Sequence, residues 1–222
     1  MRSLLHLPLS PECRKVRIVL AEKGLDFEMR VEETWKRREA FLALNPAGEV
    51  PVLVEEDGMA LSDSAAISEY LEEIEPEPAL LGASPRERAE VRRLVAWFDR
   101  KFNAEVIDNL VGEKINKRFL GLGQPDSGAI RAGLTNIHTH LDYIAFLVER
   151  RNWLASARLS LADIAAAAHL SVIDYLGDVP WEQHEAAKSW YAKIKSRPSF
   201  RPLLADLVPG LVPPKHYRNL DF

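Results

Sequence analysis

The chain has 222 residues, 47% of them apolar, and a net charge of −4, enough to bury a core and to make two domains. The acidic balance excludes a general nucleic-acid binder, which needs a basic face for phosphates. One cysteine excludes an internal disulfide framework, and no apolar run approaches the roughly 20 residues of a membrane span. Met1-Arg2 leads straight into an apolar segment without a signal-peptide core, so a soluble, cytoplasmic protein is expected.

In chain order, Ser3-Leu4-Leu5-His6-Leu7 reads as a short strand before Pro8. Ser10 then stands where an N-cap belongs and Pro11 where a first-turn proline is tolerated. The helix they open carries Cys13, Val16, Val19 and Leu20 at spacings of three and four and closes at Lys23-Gly24. Phe27, Met29 and Val31 alternate with polar residues, the period of a half-buried strand. Trp35 to Leu44 is a loop passing into a short helix that Asn45-Pro46 ends. Val50 to Val54 and Met59 to Leu61, joined by Asp57-Gly58, form a hairpin. Ile67, Tyr70, Leu71 and Ile74 restore the helical period over 64–74. The order βαβα then ββα is a thioredoxin-like layout and assigns residues 1–75 to an α/β domain.

Pro76-Glu77-Pro78 cannot continue that helix and begins a linker over 76–84. Ser84-Pro85-Arg86-Glu87 is a capping box. The long helix it opens has the apolar line Val91, Leu94, Val95, Phe98, Phe102, and Gly121 to Pro125 breaks it. After Asp126-Ser127, residues Ile130, Leu134, Ile137, Leu141, Ile144 and Val148 keep the helical spacing. Ser160 and Asp163 form another cap, opening an alanine-rich helix whose small residues suit a buried centre. Helices over 184–196 and to about Asp206 complete an all-α domain, 85–206. Residues 207–222 hold three prolines, Tyr217 and the closing Asp221-Phe222, an extended tail that docks on its own subunit, covers a cleft or engages a partner.

The Ser10 hydroxyl lies among unpaired N–H groups at the positive end of a helix, a place for a thiolate or carboxylate. Cys13, with serine in the first position, has no dithiol partner and reads as a small core residue. A proline after Val50 leaves the Val50 backbone groups facing outward for an extended peptide. Asp63 and Ser64, at a helix start, suit an ammonium and a carboxylate. His138 and His140 point to different sides of their helix, so no metal site is expected.

Ser10-Pro11-Glu12-Cys13, Asn45 to Pro51, Asp63 to Ile67, the Ser160–Asp163 box and Ser196 to Phe200 together resemble the cytosolic glutathione transferases over nearly the whole chain. The resemblance implies a thioredoxin-like domain plus an all-helical domain. It also implies a glutathione site of Ser10, Val50, Pro51, Asp63 and Ser64, with Ser10 stabilising the sulfur as a thiolate in a transferase or glutathione-dependent reductase. Within that family, Trp35, Leu94 to Asp99, Arg150 to Leu154, Asp174 to Trp181 and His216 to Phe222 resemble the transferase-like division proteins of alphaproteobacteria. What this second resemblance implies is a dimeric, non-catalytic adaptor. It would bind FtsZ filaments at the division site and couple them to septal wall synthesis, with glutathione a possible but not required ligand. Trp35, Lys36, Arg37 and Arg38 are then the expected contact with the acidic FtsZ polymer, and Tyr217, Asp221 and Phe222 a second one. Arg86, Arg88, Arg92 and Arg93, beside Glu69, Glu72 and Glu73, suit charge pairing between subunits.

Overall fold

In the computed structural model, which describes residues 1–220, four strands make one sheet in the order β2-β1-β3-β4. These are β1 (Arg2–His6), β2 (Phe27–Val31), β3 (Val52–Val54) and β4 (Ala60–Ser62). β2 runs parallel to β1, whereas β3 is antiparallel to β1 and β4 to β3. The register decides where function can sit. Val31 lies opposite His6, Leu5 opposite Val52, and Val52 opposite Ser62. The ends of β1, β2 and β4 and the start of β3 therefore share one edge, and the segments carrying Ser10, Trp35, Val50 and Asp63 all leave from it.

Alternation along the strands loads both faces of the sheet. Leu4 and Leu53 join Val16, Val19 and Leu20 of α1 (Pro11–Glu22) and Ile67 and Leu71 of α3 (Ser64–Ile74) in the main core. Leu5 and Val52 meet Phe41 of the short α2 (Glu39–Leu44) on the other face. The segment after α3 is fastened, not loose. Glu72 accepts the Leu80 and Leu81 N–H groups at 2.8 and 3.0 Å, and Lys23 donates to the Glu75 and Pro78 carbonyls at 2.7 and 2.8 Å.

The helical domain opens at α4 (Pro85–Ala96) with the expected Ser84–Glu87 capping box. The helix continues without a break through Trp97–Asn116, where it widens to π-type winding, into α5 (Lys117–Leu120) and ends at Gly121 in the left-handed conformation. Asp126 caps α6 (Ser127–Arg151) through the Gly128 and Ala129 N–H groups. In α7 (Leu161–Leu176) every residue from Leu161 to Tyr175 is buried, which its alanines allow. α8 (Glu185–Lys195) packs beside it.

α1 lies against α7, and the seam is rich in charge. Arg14 and Arg17 share the Asp206 carboxylate, Lys15 pairs with Asp99, and Glu22 takes Arg197 and Ser199. The tail turns at Gly210, where Val208 bridges Leu211. Tyr217 is then fully buried, donating to the Leu203 carbonyl at 3.1 Å and standing edge-on to Tyr175. Through Tyr217, the described part of the tail docks on its own chain. This corrects the reading of Tyr217 as a partner contact, because its ring fills a hole in the core. Asp221 and Phe222 lie outside the described residues.

Candidate functional site

Ser10 caps α1 in an extended conformation, and its hydroxyl accepts the Cys13 N–H at 3.1 Å. The same hydroxyl donates to the Glu12 carboxylate at 2.9 Å. Cys13 is fully buried, and burial pushes its thiol up to about 12, far from a reactive state. It is the core residue its spacing implied. Behind the cap, Arg14 donates to the Pro8 carbonyl at 2.7 Å and to Ser171 at 2.8 Å, which fixes the loop that delivers Ser10. Burial, then the Arg17 charge, lowers the neighbouring His6 ring to about 4, so it is neutral at pH 7.

The Val50-Pro51 peptide is cis. No turn, loop or cap hydrogen bond among the described residues uses the Val50 N–H or C=O, so both are available to an extended peptide. Asn45 shapes the approach, donating to the Glu49 carbonyl at 2.8 Å and accepting the Ala47 N–H at 3.2 Å. Asp63 sits at φ 73°, ψ 123°, a backbone state that costs a non-glycine residue about 1–3 kcal/mol. One of its oxygens holds it there by accepting Ala65 and Ala66 N–H groups at 2.8 and 2.9 Å. The Asp63 carboxylate and the Ser64 N-terminal turn thus stand side by side. Together these three segments offer a hydroxyl, a free peptide edge, an acid and a helix N-terminus at one end of the sheet. That set suits a short peptide carrying an ammonium, carboxylates and a sulfur.

The second group lies on the loop after β2. Trp35 is 50% exposed on a single turn, Thr34–Lys36, that Arg37 ends in the left-handed region at φ 43°. Its cations are less available than the sequence suggested. Lys36 pairs with Glu33 and Arg38 with the buried Glu32, while Arg37 has no ion pair among the described residues. Beneath the loop, a cavity of about 380 Å³ between α2 and the sheet is lined by Arg30, Glu32, Arg38, Phe41, Leu44 and Val54.

Several charges have other uses than those expected. Arg92 pairs with Glu69 at 2.6 Å, Arg93 with Glu90 at 2.8 Å, and Glu72 is committed to Lys23 and the segment before α4. Arg92, Arg93, Glu69 and Glu72 of the set foreseen for pairing between subunits thus have partners within the chain, whereas Arg86, Arg88 and Glu73 form no ion pair among the described residues. His138 meets His184 at 2.9 Å, and His184 meets Asp142 at 3.1 Å, a contact between α6 and the start of α8 that residue spacing within α6 cannot disclose. His140, facing inward, takes the Trp97 indole N–H and Glu105, both at 3.0 Å. Among the described residues no His, Cys, Asp and Glu group is arranged to hold a metal, and no helix is long and apolar enough to cross a membrane.

Residues 4–79 match the family model for the glutathione S-transferase N-terminal domain. Over its full length the chain is 54% identical to FtsZ-localized protein A of Caulobacter vibrioides, covering 98% of that protein. Among solved structures, FzlA from C. crescentus superposes with a TM-score of 0.96 at 53% identity, covering all of this chain and 99% of that one. A glutathione S-transferase from Rhodospirillum rubrum F11 superposes with a TM-score of 0.98 at 63% identity over the whole of both chains. The cis-proline edge, the strained acid and the serine-capped helix at one end of a thioredoxin-like sheet agree with these likenesses, and the chain belongs to the glutathione S-transferase family.

Proposed function

We propose that this chain is a transferase-like division protein that binds FtsZ filaments as a cytoplasmic homodimer and links them to septal wall synthesis. The observation that carries the reading is the end-to-end similarity to FtsZ-localized protein A, 54% over all of this chain, tail included. Trp35 fits a filament contact. It is a half-exposed aromatic beside Arg37, with no core function of its own, and exposed Trp with Arg is the residue pair that anchors interfaces. Cosedimentation with GTP-assembled FtsZ is the test. The wild-type protein pellets with filaments and Trp35→Ala loses most of that binding. A wild-type protein that stays in the supernatant overturns the reading.

A glutathione-dependent transferase or reductase is the second reading, favoured by the free Val50 peptide edge next to the strained Asp63 cap. Calorimetry decides whether glutathione binds: Ser10, Val50, Pro51, Asp63 and Ser64 as its site require measurable heat at millimolar ligand. Binding without turnover is compatible with the division reading, and turnover that Ser10→Ala abolishes favours the enzyme.

A further inference from the structure

We propose that Glu12 is a positioning residue that disarms Ser10: its carboxylate takes the single hydroxyl proton that a sulfur would need, so a bound thiol keeps its own proton. The inference rests on the glutathione frame described above and supplies a physical reason for a division protein to retain that frame without conjugation chemistry.

A serine hydroxyl has one proton to give, and a carboxylate can only accept. The Ser10 oxygen receives the Cys13 N–H at 3.1 Å and faces the Glu12 oxygen at 2.9 Å. The direction of the second bond is therefore fixed, and the donor capacity of Ser10 is spent inside the first helical turn. A sulfur placed before α1 meets an oxygen whose hydrogen points away from it.

The charge of Glu12 acts in the same sense. It stands in the first turn of α1, where an acid offsets the positive end of the helix dipole. Its field reaches the interior, where it adds to burial in holding the Cys13 thiol protonated. It also reaches across to the helical domain, where burial and then Glu12 raise Asp108. A new anion at this helix start thus loses its hydroxyl donor and gains a like charge.

The full-length protein, glutathione and chlorodinitrobenzene test the proposal. In that reaction the sulfur bonds to the ring carbon, chloride leaves with its bonding pair, and the thiol proton passes to water. Wild-type protein is expected to stay at the uncatalysed rate. Glu12→Leu keeps much of the bulk of the side chain without any hydrogen-bond acceptor, and Glu12→Ala removes the acceptor outright. Either variant should raise the rate about tenfold, the gain that one pKa unit of thiol acidification provides. Ser10→Ala combined with Glu12→Ala should return it to background. The thiolate absorbance of bound glutathione, titrated with pH, should show a midpoint at least about one unit lower in Glu12→Ala than in wild type.

A wild-type rate equal to that of the variants overturns the proposal. So does a folded variant without gain, or a gain that survives loss of Ser10. Should Glu12→Ala unfold, the bulkier Glu12→Leu carries the same expectations. FtsZ cosedimentation of the same variants is read separately, so failure of the thiol inference and failure of filament binding are told apart.

Discussion

Three serines cap helices in this chain with an acid close behind, and two of them, Ser160 and Ser10, have come to different ends. Ser160 and Asp163 open α7 deep in the core. Asp163 accepts the Ser160 N–H and hydroxyl on one oxygen, and the Leu154 N–H and Trp190 indole on the other, at 2.9–3.0 Å. Ser10 and Glu12 open α1 at the half-buried edge of the sheet, and Glu12 takes only the hydroxyl. An acid at the third helical position reaches back to the cap N–H; an acid at the second lies to the side and finds only the hydroxyl. The same ingredients make a closed structural joint in one place and an open, adjustable one in the other. Burial and a one-residue change of spacing separate them.

The largest expected effect breaks the closed joint. Asp163→Ala strands three buried N–H donors and should cost about 3–5 kcal/mol in urea unfolding. A loss under about 1 kcal/mol would erase the distinction between the two caps. Tyr217→Ala asks whether burial matters more than distance from the chain end, and the cavity it leaves should cost about 3 kcal/mol. A surface-like loss of about 0.5 kcal/mol would return the tail to the partner reading.

His6 joins the two regimes, since its ring is buried while its backbone leads into the Ser10 loop. With its pKa lowered to about 4, the unfolded chain binds the proton more tightly. The stability His6 protects is complete above about pH 6.5 and is lost as pH falls from there toward 4. The loss should be on the order of 2 kcal/mol, allowing for solvent screening. His140 and His184 are lowered by burial and contribute in the same direction. His6→Phe should flatten the slope of unfolding free energy against pH, and an unchanged slope would remove His6 from this role. The smallest effect belongs to the open joint. Ser10→Ala should cost about 1 kcal/mol, the value of an ordinary cap, and a loss as large as that of Asp163→Ala would contradict its openness.

Much of this was legible in the residues themselves. Caps and breakers set the helices: Ser84-Pro85 opened α4, Gly121 closed the long helix, and Val50-Pro51 marked the strand edge. These signals act over a few residues, so a linear reading finds them. The second buried face of α1 was not legible. The helical spacing of Cys13, Val16, Val19 and Leu20 says nothing of Arg14, Lys15 and Arg17, which are buried as well. Their counter-ions are Asp99 and Asp206, 84 to 192 residues away, and no local pattern announces a partner at that distance. The role of Glu12 was hidden for the opposite reason. An acid in a first helical turn is ordinary, and only the rotamer that brings it to the hydroxyl distinguishes it. The cations beside Trp35 looked available because sequence does not show that Glu32 is buried under Arg38.

Asp206 carries a consequence for how the molecule comes into being. Arg14 and Arg17 are made early but their shared carboxylate comes 192 and 189 residues later. At the pace of synthesis that is a delay of about 10–40 s. Until then α1 carries two guanidinium groups destined for a dry seam without their acid, so the sheet domain cannot reach its final charge balance before Asp206 is made. Its completion waits for the segment after α8, and the helix that positions Ser10 is locked only once Asp206 joins it.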